Sequence, residues 1–155
     1  MFDKDRILCA IDLSEGSGKV VDAAATLANK LHCGLEIVHV FDHPLYNLPT
    51  GFTPTAAYSA ALVEADRDIR KQLEERLAQA GQAAAAREVP VTTQILEGPA
   101  AQTIIDQAKT DEFSVVVVGT HGYSGIKHVL LGSVAERVVR LAQCPVLTVP
   151  TSDPE

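Results

Sequence analysis

Glycines stand at positions 119, 122, 125 and 132, and the last is followed by Ser133 and a stretch of helical pattern. They begin where an apolar run, "FSVVVV", stops. A chain that leaves a buried strand through several glycines either turns tightly or brings main-chain N–H groups close to a ligand. The chemistry that suits the second case is anion binding. The amino end of a helix carries unpaired N–H groups and about half a positive charge, which favours a phosphate. Ser133 and Glu136 have capping-box spacing, "SVAE", so Gly132 and Ser133 can begin the helix and face a phosphate together.

Other chemistry-bearing residues are less committed. Asp12 follows an apolar stretch and suits either a turn that caps the first helix or a ligand contact. His121 and His128 flank the glycines, but no carboxylate or nucleophile partners them in the sequence, so both read as loop residues. Lys127 either neutralises phosphate charge or is simply solvated, and His39 sits in a strand pattern that favours packing. Tyr46, Phe52 and Tyr58 suit covering a ligand or facing a partner. The Walker pattern is absent because no lysine stands between Gly132 and Ser133. The dinucleotide fingerprint is absent because the first strand runs into "AIDLSEGSG".

The elements that must position these residues follow from periodicity. "RILCAID" (6–12) reads as a strand, and residues 19–31 as a helix with Val20, Ala23, Ala24, Leu27 and Leu31 inward. Ser14 or Ser17 is its candidate cap. A second strand covers 34–41, and a Pro/Gly/Thr-rich loop covers 42–59. A long helix follows over roughly 59–86, its stripe formed by Ala61, Leu62, Ala65, Ile69, Leu73, Leu77 and Ala80. Gly81 is a place for it to end early. The third strand is 89–97, and Gly98-Pro99 opens a helix with Ala101, Ile104, Ile105 and Ala108 inward. Strand 113–119, helix 133–143 and strand 144–150 complete the pattern, and 151–155 reads as a frayed tail.

Strands alternating with helices predict a single α/β domain over 1–150, a doubly wound parallel sheet with four helices on both faces. In such sheets ligands sit beyond the carboxyl ends of the strands, where the strand order reverses. Asp12, Val40 and Gly119 end the strands that would form that mouth.

Composition narrows the function classes. The formal net charge of -7 argues against a nucleic-acid footprint, which needs a basic face. No segment is apolar for the ~18 residues of a membrane span. The charged amino-terminal sequence lacks signal-peptide character, so a cytoplasmic location is expected. Cys9, Cys33 and Cys144 are odd in number and set among apolar residues, as reduced core thiols are. No CxxC or His/Cys cluster indicates a metal.

Across nearly its whole length the sequence resembles the universal stress protein family, in its nucleotide-binding branch. The resemblance rests on "ILCAIDLSE", "IVHV", "GPAAQTIIDQA", "GTHGYSGIKHVLLGSVAERVV" with its G-x2-G-x9-G-S spacing, and the closing "CPVLTV". It implies ATP, with Mg2+ as a possible companion, held at the phosphates by Gly119, Gly122, Gly132, Ser133 and the Val134 amide. His121 and Gly125 lie in the same stretch and are counted with the binding residues. It implies Asp12 near the adenosine and Val40 near the adenine. It also implies the strand order 3-2-1-4-5 and a homodimer through the Pro145–Val149 edge strand. Family members often carry proline and a small polar residue before the aspartate, whereas this chain has Ala10 and Ile11.

Three function classes remain open. One is an ATP-binding stress-response switch, with an unknown regulatory protein partner and little or no hydrolysis. The second is an ATP-hydrolysing or transferring enzyme, which needs a cation clamp and a positioned acid or base. The third is a dimeric interaction module with no nucleotide. The glycine loop favours the first.

Overall fold

The computed structural model of the chain describes residues 6–43, 49–110, 113–121 and 131–152. The element order is β1 (Arg6–Ala10), α1 (Ser17–Leu31), β2 (Gly34–Phe41), α2 (Ala56–Ala85), β3 (Val91–Glu97), α3 (Ala100–Ala108), β4 (Phe113–Gly119), α4 (Ser133–Leu141) and β5 (Val146–Val149). The strands form one sheet in the order β3-β2-β1-β4-β5, with every neighbouring pair parallel. The expected α/β fold and strand order are therefore those found.

Two apolar layers hold the helices to the sheet. Ile7, Cys9, Leu35, Ile37, Val115 and Val117 meet α1 and the carboxyl half of α2 on one face. Leu8, Val38, Phe113, Val116 and Val118 meet α3 and α4 on the other. β4 is buried from Phe113 to Val118, as a central strand covered on both faces must be. α3 buries Ala101, Ile104, Ile105 and Ala108, the face its periodicity predicts.

Several local expectations are corrected. α1 buries Val20, Val21, Ala24, Ala25 and Ala28, while Leu31 is exposed, so its inward face is turned toward the 21/25/28 row. Neither Ser14 nor Ser17 is its cap. Gly16 is, without a side-chain bond, and Ser17 is already helical. α2 starts at Ala56 because Thr55 caps it, accepting from the Tyr58 N–H at 3.2 Å. Its predicted stripe holds only at Leu77, with Leu62, Leu73 and Ala80 half-buried. Upstream, Ala61 and Ala65 are exposed, Ile69 is 43% exposed, and off the stripe Val63 is 59% exposed. In its amino half the contact with the sheet is polar: Arg70 pairs with Glu97 of β3 and lies over the Phe41 ring of β2. Gly81 does not end it either. A Cβ there would lie 2.7 Å from Thr93 Cγ2, so the glycine lets α2 approach β3.

Cys9 is fully buried and Cys33 and Cys144 are half-buried, and none of the three forms a disulfide among the described residues. Desolvation pushes the Cys9 thiol up to about 12 from 9.0. Its contribution to stability is complete below the unfolded value and is lost as the pH rises toward the folded one. We expect Cys9 to resist a thiol-alkylating reagent near pH 8 in the native protein and to react once denatured. Mass spectrometry of the labelled peptides checks this, and native labelling of Cys9 would contradict its burial.

Candidate functional site

The order of the sheet reverses between β1 and β4, and a cavity of about 300 Å3 opens there beyond the strand ends. Ala10 at the end of β1 and the following Ile11 and Asp12 line it, with His39 and Val40 from β2 and Val118 and Gly119 from β4. Ala100 and Ile104 of α3 and Gly132 to Ala135 at the start of α4 close the opposite side. Among the sequence-predicted residues, Asp12, Val40, Gly119, His121, Gly132, Ser133 and Val134 thus share one cavity. Gly122 and Gly125, with Lys127 and His128, lie outside the described residues, as does Tyr46.

Asp12 is held by the turn it begins. Its Oδ1 accepts from the Ser14 N–H at 2.9 Å and from the Ser17 hydroxyl at 3.1 Å. The two roles read for Asp12 are therefore compatible, because Oδ2 has no partner among the described residues. The main chain around it is unusual, with Leu13 at φ 61, a left-handed conformation rare for leucine. The carbonyl of Ile11 accepts from His39 Nδ1 at 3.0 Å. A carbonyl only accepts, so Nδ1 carries the proton.

The start of α4 differs from the capping box expected. Gly132 is the cap, with φ -67 and ψ 160, and no side chain bonds the first turn. Ser133 is already helical, and Glu136 instead pairs with Arg140 at 3.5 Å. The first helical bond runs from the Glu136 N–H to the Gly132 carbonyl at 2.8 Å. The amides of Ser133, Val134 and Ala135 consequently have no acceptor among the described residues. They form an uncapped, electropositive helix end on the cavity wall.

Neither described glycine of this stretch uses a positive φ. Both allow close approach. The Gly132 N–H donates to the Thr120 carbonyl at 2.6 Å, and a Cβ there would lie 3.1 Å from that oxygen. At Gly119 a Cβ would lie 2.8 Å from Thr151 Cγ2 and 3.2 Å from Val20 Cγ2.

The sequence pattern makes Thr151 the first residue of a frayed tail. It instead crosses the cavity rim, touching the space beside Gly16 and Gly119 and donating to the His121 carbonyl at 3.3 Å. Sequence reasoning missed it, together with Thr120, Ser17 and Ala100. Only Ala100 left a trace, since Gly98-Pro99 marks a second helix start at the strand ends. His39, read as a packed residue, lines the cavity as well.

Comparison with known proteins identifies the family and the fold. The family model described as "Universal stress protein family" matches residues 4–150. Universal stress protein YxiE of Bacillus subtilis (strain 168) is 34% identical over 149 residues, covering 96% of this chain and 99% of its own. The solved structure of universal stress protein UspA from Lactobacillus plantarum superposes with a TM-score of 0.79 at 24% identity, over 94% of this chain and 97% of its own. A universal stress protein in complex with cAMP gives 0.68 at 22% identity, over 96% and 98%. One from Archaeoglobus fulgidus in complex with dAMP gives 0.61 at 21%, over 96% and 98%. The extent of these matches, together with the reversed strand order and the glycine-capped α4, establishes that the chain belongs to the universal stress protein family.

Proposed function

We propose that the protein is an ATP-binding regulatory module whose nucleotide occupies the cavity between Asp12, Val40 and the amino end of α4. The carrying observation is that uncapped end: three N–H groups without acceptors among the described residues, on the wall of a cavity that also holds a carboxylate with one oxygen unbonded among them. The amides of Ser133 and Val134 are suited to phosphate oxygens. Asp12 Oδ2 is placed to accept from ribose hydroxyls, and Val40, Ala10, Ile104 and Val118 offer apolar surface for a base. The volume lies at the lower end of the range of about 300–1,000 Å3 usual for small-molecule sites. Complexes of related folds with cAMP and dAMP support the adenine class.

Binding without rapid turnover is the form this reading takes. No lysine or arginine lines the cavity among the described residues, and phosphoryl transfer relies on such a clamp. Mg2+ enters as a companion of the triphosphate rather than as a resident of a protein cage. The domain over 1–150, the cytoplasmic location, the homodimer and a regulatory protein partner belong to the same proposal. Among the described residues no helix is long and apolar enough to cross a membrane.

The test is mass analysis of nucleotide released from protein purified without added ligand, followed by calorimetry with ATP, ADP and AMP. Asp12→Asn keeps one oxygen for Ser14 and Ser17 but replaces the other by an amide. Loss of a charge-assisted hydrogen bond predicts affinity weaker by about tenfold to a hundredfold. Absence of co-purified nucleotide together with no measurable ATP affinity overturns the proposal.

A further inference from the structure

We propose that His39 and Arg76 clamp the main chain on either side of Asp12 and so act as positioning residues that set nucleotide affinity. This rests on the reading of the cavity as a nucleotide site.

The observation is a pair of side-chain grips on consecutive turns of one short segment. β1 ends at Ala10, yet the Ile11 N–H still reaches the Val38 carbonyl at 3.0 Å. The Ile11 carbonyl accepts from the ring of His39 on β2. One residue beyond Asp12, the Leu13 carbonyl accepts from the guanidinium of Arg76 on α2. Asp12 therefore sits between two carbonyls, each held by a side chain from a different element.

Leu13 explains why such holding is needed. Its left-handed φ of 61 is sparsely populated for a leucine, and a residue of this kind persists only when its surroundings over-determine it. Its side chain is buried in the α1 layer, which fixes one side of the turn. Arg76 fixes the other through the carbonyl. Release of either grip lets the segment relax toward ordinary backbone and turns the Asp12 carboxylate away from its present direction.

The segment is also a partition. A second cavity, of about 360 Å3, lies between α1 and α2 and shares Ile11 and Ser17 with the first. Leu13, Ser14 and Arg76 line this second cavity. Arg76 thus grips the residue after Asp12 from outside the proposed nucleotide cavity, of which it is not a lining residue. Its route to affinity is the position of the loop; loss of its charge alone would act equally with and without the Asp12 carboxylate.

The experiment is ATP calorimetry on Arg76→Ala, Arg76→Lys, His39→Leu and His39→Asn, each alone and in an Asp12→Ala background. Arg76→Ala and His39→Leu are expected to weaken ATP binding by about tenfold, the size of one lost hydrogen bond with a charged or positioned donor. Lysine and asparagine retain an N–H donor and should restore most of the affinity. Without the Asp12 carboxylate the clamp has nothing to aim, so the same substitutions should then change affinity less than about twofold. Equal losses in both backgrounds, or no loss in either, overturn the clamp. A second readout is independent of ligand: exchange of the Ser14 amide, which donates to Asp12, in nucleotide-free protein. Arg76→Ala should speed it by about tenfold, and unchanged exchange also overturns the clamp. If the unaltered protein binds no ATP, the functional reading fails while Ser14 exchange still judges the clamp. Arg76 is exposed on α2, so its variants carry the test should His39→Leu not fold.

Discussion

Gly132→Val is expected to leave a folded protein that has lost about a hundredfold or more in ATP affinity. The backbone at 132 lies in an extended region open to any residue, so the substitution does not force a forbidden dihedral. The first added carbon meets the Thr120 carbonyl at 3.1 Å, tighter than ordinary contact, and the two valine methyls add to it. The start of α4 must therefore move away from β4. That displaces the Ser133 and Val134 amides from the cavity wall, and the N–H contacts to phosphate proposed for them should weaken together. Gly132→Ala, which adds only the first carbon, should fall between. Circular dichroism establishes the fold and calorimetry reads the affinity. Undiminished affinity in folded Gly132→Val would remove α4 from the site.

Leu147→Lys is expected to convert a dimer into a monomer. Among the described residues β5 pairs only with β4 and forms one edge of the sheet. Among those residues no strand pairs with its other side, and such an edge pairs readily with another chain unless charge or a bulge blocks it. Here Val146, Leu147, Thr148 and Val149 carry no charge, and only Pro145 and Pro150 flank them. Leu147 is 39% exposed, and α4, which packs against β5, also exposes Val139 and Leu141. A two-fold axis beside β5 would bury this surface in both copies. Val149 is a poorer probe, because it packs against the core under α1. A two-fold interface meets each substitution twice, so the dissociation constant should rise by about a hundredfold or more. Sedimentation at micromolar concentration decides it: a monomeric mass for the unaltered chain, or a persistent dimer for Leu147→Lys, rules out this interface.

What was legible in the sequence follows the strength of the local pattern. α3 and β4 are read residue by residue because every apolar side chain in them has a neighbour to bury against. In α2 the same rule fails upstream of Leu73. The periodicity of Ala61, Ala65 and Ile69 is helical, but these side chains are exposed, and periodicity carries no information about where an apolar partner layer ends. The cap of α4 was misassigned for a different reason. Gly132 and Ser133 are both acceptable caps, and the Thr120 carbonyl, twelve residues upstream, decides between them. The candidate site was legible where its residues lie at or within two residues of strand ends, as Asp12, Val40 and Gly119 do. Thr151 and Arg76 reach the site region through tertiary contacts that leave no periodic mark.

Thr151 has a consequence for how the molecule comes into being. The residue that crosses the cavity rim is made long after the aspartate that begins it. At ribosomal speeds of about 5–20 residues per second, roughly 7–28 s separate the synthesis of Asp12 from that of Thr151. For most of that interval β1 has β2 beside it but lacks β4, whose partners on β1 are about a hundred residues upstream. The central strand of the sheet is thus open on one side, with Leu8 and Ala10 awaiting cover, while the nascent chain lengthens. Cotranslational collapse can produce the β1-α1-β2 half early, but a ligand-competent rim exists only once the carboxyl segment has left the exit tunnel. The protein is expected to stay silent toward its proposed nucleotide until Thr151 has emerged and closed the rim.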